Sequence, residues 1–301
     1  MASVNINDVK ELRDMTGCGL SDCKKALEEA DGNREEAVKI LREKGLAKAA
    51  KKAGRIAAEG VVKAKVNGNN GVIVEINCET DFAAKSEKFL ELVEVIADTI
   101  LANDVADVEA LNNVTIASTG ETVKEFMTNK IATIGENMNI RRFAKMEGTL
   151  VAYMHDGGRI GTLVKLDTDK PDDAEVLTCG KNVALQITAL NAQYIDKDSV
   201  PADVIANEKE VQQKLVEQEG KPANVAEKIV EGRIRKFYEE VCLSDQKYFK
   251  DDSMSVGKYI DSVAKAQGAS IKVNSFVRYE RGEGIEKKQD NFADEVASMI
   301  K

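Results

Sequence analysis

One pattern occurs twice in this 301-residue chain and limits its architecture more than any other. A β-branched strand, a glycine-bearing turn, a second such strand and an apolar helical stretch follow one another. The first copy is VVKAKVNGNNGVIVEIN with a helix from Glu87 to Leu101. The second is LVAYMHDGGRIGTLVKL with LTCGKNVALQITAL. Asn and Gly between alternating apolar residues signal a hairpin. Gly161, Leu163 and Val164 of the second hairpin can be laid over Gly71, Ile73 and Val74 of the first. A closing strand follows each copy, within IGENMNIRRFAKMEG and within NSFVRYERGEG. The expectation is an α+β chain with two copies of a small unit, each an antiparallel sheet backed by helix.

The rest of the chain hangs on these copies. Residues 1–56 read as an N-terminal helical domain. Val9, Leu12 and Arg13 share a turn pattern, and TGCG supplies a sharp reversal. Ser21 is a candidate N-cap, Asp31-Gly32 a stop, and Asn33 with Glu36 a capping pair. The third helix is expected to end at Gly45, with AKAAKKAGRIAAEG as a separate helical connector. The bundle looks like a ubiquitin-associated domain. Residues 57–147 form the first copy, and 148–202 with 242–282 the second. Between the parts of the second copy, residues 203–241 carry two amphipathic stretches around Gly220-Lys221-Pro222, an antiparallel helical hairpin or coiled coil. Residues 283–301 are expected to end in a helix bearing Phe292, Val296, Met299 and Ile300.

Composition excludes several classes. With 52 acidic against 43 basic residues the net charge is −9, unlike a protein whose affinity rests on neutralising phosphates. No apolar run reaches the length of a membrane span, and the first residues lack a signal-peptide core. Five cysteines without paired spacing point to reduced thiols in a cytoplasm, and Cys18 and Cys23 read as small buried hydrophobes. The single histidine, His155, sits at a turn with no nucleophile signature nearby. No phosphate loop, metal spacing or base-stacking platform is present, so neither cofactor nor metal is expected.

One stretch resists a purely structural reading. In EINCETDFAAK a strand runs into a helix start, and Thr80 and Asp81 occupy N-cap positions. Asp81 and Phe82 are either a cap and a core residue, or a charged and aromatic wedge aimed at a partner. A carboxylate hydrolase, a structural adaptor and a partner-remodelling factor all stay open on the residues alone.

LRDMTGCGLSDCKKAL and EINCETDFAAK, together with IGENMNIRR, the GRIG hairpin and FVRYERGEGIEK, resemble the bacterial elongation factor Ts family, in order and over essentially the whole chain. The chain departs from that pattern at Ala83, Leu20 and Ser21. The resemblance implies a cytoplasmic factor that is not an enzyme and promotes GDP release from elongation factor Tu. It implies contacts to that GTPase from Arg13, Leu20 and Ser21 in the N-terminal domain, from Thr80, Asp81 and Phe82 near its magnesium site, and from His155 and Phe292. The acidic net charge argues against direct nucleic-acid contact, and a homodimer or a dimer of heterodimers stays open. With the resemblance, the wedge reading of Asp81 and Phe82 overtakes the cap-and-core one.

Overall fold

The computed structural model describes residues 4–220 and 222–286. The expected C-terminal helix and Phe292 lie outside them. The elements in order are α1 (Ile6–Thr16), α2 (Leu20–Glu29), α3 (Arg34–Lys52), β1 (Glu59–Asn67), β2 (Asn70–Cys78), α4 (Asp81–Ala84) and α5 (Glu87–Ala102). Then come α6 (Val108–Asn112), α7 (Val123–Ile134), β3 (Met138–Glu147), β4 (Thr149–His155), β5 (Ile160–Thr168), α8 (Ala174–Leu190), α9 (Ala202–Gln218) and α10 (Ala223–Val241). The last are β6 (Lys247–Tyr248), β7 (Asp251–Ser255), α11 (Val256–Gln267) and β8 (Ile271–Glu280). No described helix is long and apolar enough to cross a membrane.

The repeat is an α+β arrangement. One sheet has the order β1-β2-β3 and the other β4-β5-β8. In both, a hairpin's second strand is central and a distant strand closes the sheet. β4 and β5 pair antiparallel with Val151 opposite Val164. By contacts the chain divides into two compact units. Of the described residues, one comprises 4–63, Val74–Phe143 and 280–286; the other comprises Ala64–Ile73 and Ala144–Tyr279.

In the first unit, α1, α2 and α3 enclose their own small core of Val9, Leu12, Cys23, Ala26, Leu27, Ala37 and Leu41. Helix α1 stops where Gly17 takes a left-handed φ of 66°, a conformation that favours glycine, and donates to the Arg13 carbonyl at 2.7 Å. Asn33 caps α3 by accepting from the backbone of Glu35 and Glu36. The expected break at Gly45 does not occur: α3 runs 19 residues, through Gly45 to Lys52. Gly45 is instead a packing position, buried against Ala132 of α7. A second departure concerns cysteine: Cys23 is buried as expected, whereas Cys18 is half-buried.

The first unit also buries a charge. Glu75 sits in β2 among Ile73, Val74 and Ile76 with no exposed surface. Its carboxylate accepts from Arg142 Nε at 2.6 Å, the Gly282 backbone at 2.8 Å, Arg141 Nη1 at 3.0 Å and Asn77 Nδ2 at 3.1 Å. Burial alone would raise its pKa. The bonds from Gly282, Asn77, Arg142 and Arg141 outweigh that and hold it below the ordinary carboxylate value.

In the second unit the core packs β4, β5, α8 and α11 around Val151, Val164, Val183, Ile187 and Ile260. The helical hairpin α9–α10 leaves it through a separate small cluster of Val200, Val241 and Cys242, with Tyr194, Val204, Ile205, Phe237 and Tyr238 against it. Beyond that base the apolar stripes pair less completely than their spacing predicts. Val216 and Ile234 are buried, but Val211 and Leu215 are exposed.

Candidate partner-contact site

The corner after β2 is built from short-range bonds. Thr80 is extended, and its hydroxyl accepts from the Ala83 backbone at 3.1 Å, which makes Thr80 the N-cap of α4. Asp81 is therefore not the cap. Its carboxylate accepts from Lys85 Nζ at 2.7 Å, and that bond holds it below the usual carboxylate range. Ala83 and Ala84 turn inward and are buried. Ser86 donates to the Ala83 carbonyl at 2.7 Å and caps α5, so α4 is bounded at both ends. The Cys78 thiol donates to the Thr80 carbonyl at 3.2 Å, and burial pushes its pKa up to about 12.

Phe82 lies on the opposite side of this single turn and is 84% exposed, the highest value among the large apolar side chains described. Hydrophobic gain cannot account for its position in the isolated chain. It is not a core residue.

The corner is also gripped from outside. Glu136 accepts from the backbone of Thr80 at 3.0 Å and of Glu79 at 3.1 Å, and from the Thr80 hydroxyl at 2.6 Å. Glu79 in turn accepts from the Asn137 backbone at 2.6 Å. The family-like stretch IGENMNI thus has a local task that the sequence reading did not assign. No periodicity signals it, because the partners stand 56 to 58 residues apart.

In the N-terminal helices, Arg13 is exposed in the last turn of α1, and Leu20 and Ser21 open α2 exposed. The loop between them passes close to α7 at Gly17, which is exposed and where a Cβ would stand 3.7 Å from half-buried Thr133. Met15 and Ile6 of α1 are exposed apolar side chains that the sequence reading did not single out. Both are 69% exposed, and both fall off the Val9–Leu12 stripe, which was the available signal. In the second unit His155 ends β4 exposed, its Nδ1 3.4 Å from the Tyr153 hydroxyl. The turn after it holds Asp156 at φ 48° and Gly157 at φ 62°. Arg13, Leu20, Ser21, Thr80, Asp81 and Phe82 belong to the first unit and His155 to the second. Among the described residues no group of three or more His, Cys, Asp or Glu could hold a metal ion.

An exposed aromatic on a braced turn suits contact with another macromolecule, and comparison with known proteins gives the family. The profile of the family described as elongation factor TS matches residues 79–283. Elongation factor Ts of Clostridioides difficile strain 630 is 49% identical over 305 residues, covering 100% of both chains. Elongation factor Ts of Syntrophotalea carbinolica is 48% identical, covering 97% of this chain and 98% of the relative. Elongation factor Ts of Clostridium botulinum strain Eklund 17B is 47% identical, covering 99% of each. These matches define a translation elongation factor. The chain belongs to the elongation factor Ts family.

Proposed function

We propose that this chain binds elongation factor Tu carrying GDP and promotes GDP release, so that GTP can rebind. The observation that carries the reading is Phe82, exposed on a turn held by Thr80, Ser86 and Glu136. Mg²⁺ in a GTPase bridges protein and phosphate oxygens and demands a near-ideal octahedron. An aromatic side chain entering the packed groups behind that site displaces them and weakens both metal and phosphate binding. Asp81, paired with Lys85 at 2.7 Å, adds a hydrogen-bond acceptor beside it. No bond is made or broken, so no catalytic group is required: the factor acts by binding the nucleotide-free state more tightly. By linkage, nucleotide weakens the factor's binding by the same ratio.

In this proposal the N-terminal domain, residues 1–56, grips the GTPase domain through Arg13, Leu20 and Ser21, with a further contact from Phe292. The first copy carries the wedge, and the second copy meets a far domain of the partner through His155. The recognition is protein to protein, with no nucleic-acid contact, in keeping with a net charge of −9.

Release of fluorescent GDP from elongation factor Tu, with and without the chain, tests this. Acceleration rising to a plateau with factor concentration is expected. Binding without acceleration would instead favour an adaptor, and turnover of a substrate by the chain alone would favour an enzyme.

A further inference from the structure

We propose that Glu136 is a positioning residue for Phe82, fixing the corner from which the aromatic ring projects; this rests on the nucleotide-exchange reading above. Helix α4 is four residues long, too short to hold a conformation on its own, because helix nucleation is unfavourable. Its orientation must come from its surroundings. Thr80 and Ser86 fix its ends with neutral bonds. The Glu136 carboxylate adds three more, from the Glu79 and Thr80 backbones and the Thr80 hydroxyl. Bonds to an ionised group are roughly twice as strong as neutral ones.

The clamp is reciprocal. Glu136 takes the backbone N–H of Glu79 while Glu79 takes that of Asn137. Two chain segments 57 residues apart are thus locked in register by each other's carboxylates. Glu136 is itself fixed on both sides. Gly135 before it caps α7 in the left-handed region at φ 90° and receives Lys52 Nζ at its carbonyl. Asn137 after it donates from its side chain to the Arg55 carbonyl at 2.7 Å. The carboxylate is therefore a preorganised support. Loss of the clamp frees the turn that carries Phe82 without removing any partner-facing group. The aromatic side chain then acts with less effect on the strained, nucleotide-releasing state, while ordinary binding is little changed.

The test is GDP release from elongation factor Tu at saturating factor, for the wild type, Glu136→Ala, Glu136→Gln, Phe82→Ala and Glu136→Ala/Phe82→Ala. The expected result is a plateau rate about tenfold lower for Glu136→Ala, with half-saturation changed less than about threefold. Glu136→Gln is expected to lie between, since its amide oxygen still accepts from the two backbone N–H groups. In the Phe82→Ala background Glu136→Ala is expected to change nothing further, because the two act through one group. An equal loss in both backgrounds, or a wild-type plateau for Glu136→Ala, overturns the proposal. If Glu136→Ala fails to melt cooperatively, Glu136→Gln carries the comparison. Should Phe82→Ala itself release GDP at the wild-type plateau, the wedge reading fails. Amide hydrogen exchange over residues 80–84 then decides on Glu136: faster exchange in Glu136→Ala supports the positioning role, and unchanged exchange refutes it.

Discussion

Gly45 of α3 faces Ala132 of α7 so closely that a Cβ added at position 45 would stand 3.4 Å from the alanine methyl. That distance admits one methyl group and nothing larger. Glycine inside a helix costs about 1 kcal/mol relative to alanine. Gly45→Ala is therefore expected to raise stability by up to about 1 kcal/mol. Gly45→Leu must push the two helices apart and is expected to cost about 1–3 kcal/mol. Thermal melting of the two variants checks this. A Gly45→Leu protein as stable as wild type would mean that the α3–α7 packing yields more readily than a 3.4 Å approach implies.

The same glycine shows where sequence reading stops. A glycine near the end of an apolar pattern is a good stop signal, and at Gly17 and Gly135 it works, because both adopt left-handed backbone. At Gly45 the identical residue serves close packing by a helix 87 positions later, a fact no local window contains. Hairpins, the Asn33 cap and the two-copy order were legible because each is set by neighbours in sequence. Ser21 is not a cap, since α2 starts at Leu20 with Gly19 as its N-cap and Ser21 lies inside the helix. The candidate site was legible as a stretch but not as a device. Asp81 looked like the cap by type, yet the Thr80 hydroxyl reaches the Ala83 backbone while Asp81 pairs with Lys85. Glu136 was invisible because a carboxylate in a loop has no periodicity to betray its partner.

Glu75 makes stability depend on acidity. Its folded-state pKa lies below the unfolded carboxylate value, so its contribution is fully present above about pH 4.3 and disappears as pH falls through the lower, folded value. Glu75→Gln leaves Arg141 and Arg142 without their shared carboxylate and is expected to destabilise the first unit by about 3 kcal/mol at neutral pH. The difference between variant and wild type is expected to shrink as pH falls below about 4.3, because there the unfolded carboxylate takes up a proton before the folded one does. Denaturant titrations at pH 7 and pH 3 measure both. A difference independent of pH would show that Glu75 acts by shape and not by charge.

The helical hairpin is expected to be separable only above its base. Its two ends are held together: Gln193 and Leu243 bond through their backbones to Val241 and Tyr194, each at 2.9 Å. Phe237 and Tyr238 pack there with Val200 and Val241. Replacing residues 208–231 with a short Gly/Ser linker spares this cluster. It is expected to preserve a single cooperative melt and most stimulated GDP release. Replacing all of 203–241 removes buried Val241 and half-buried Val204 and Phe237 as well, and is expected to cost more, about 1.5–3 kcal/mol for Val241 and less for each of the half-buried pair. Equal melting temperatures for the two replacements would argue against a structural base.

Phe82 itself gives the most direct prediction. Its ring makes almost no contact within the chain, being 84% exposed, so Phe82→Ala is expected to leave the melting temperature within about 1 °C of wild type. If the ring acts on the distorted partner, its loss lowers the plateau rate of GDP release while the concentration for half-saturation moves less. A fall of at least about tenfold in the plateau is expected, equivalent to 1.36 kcal/mol of transition-state stabilisation. Phe82→Leu keeps most of the volume and is expected to retain an intermediate rate. Asp81→Ala is expected to have a smaller effect, since its carboxylate is already engaged by Lys85 at 2.7 Å. The opposite split, a wild-type plateau reached only at higher factor concentration, would make Phe82 an anchor for binding rather than a wedge.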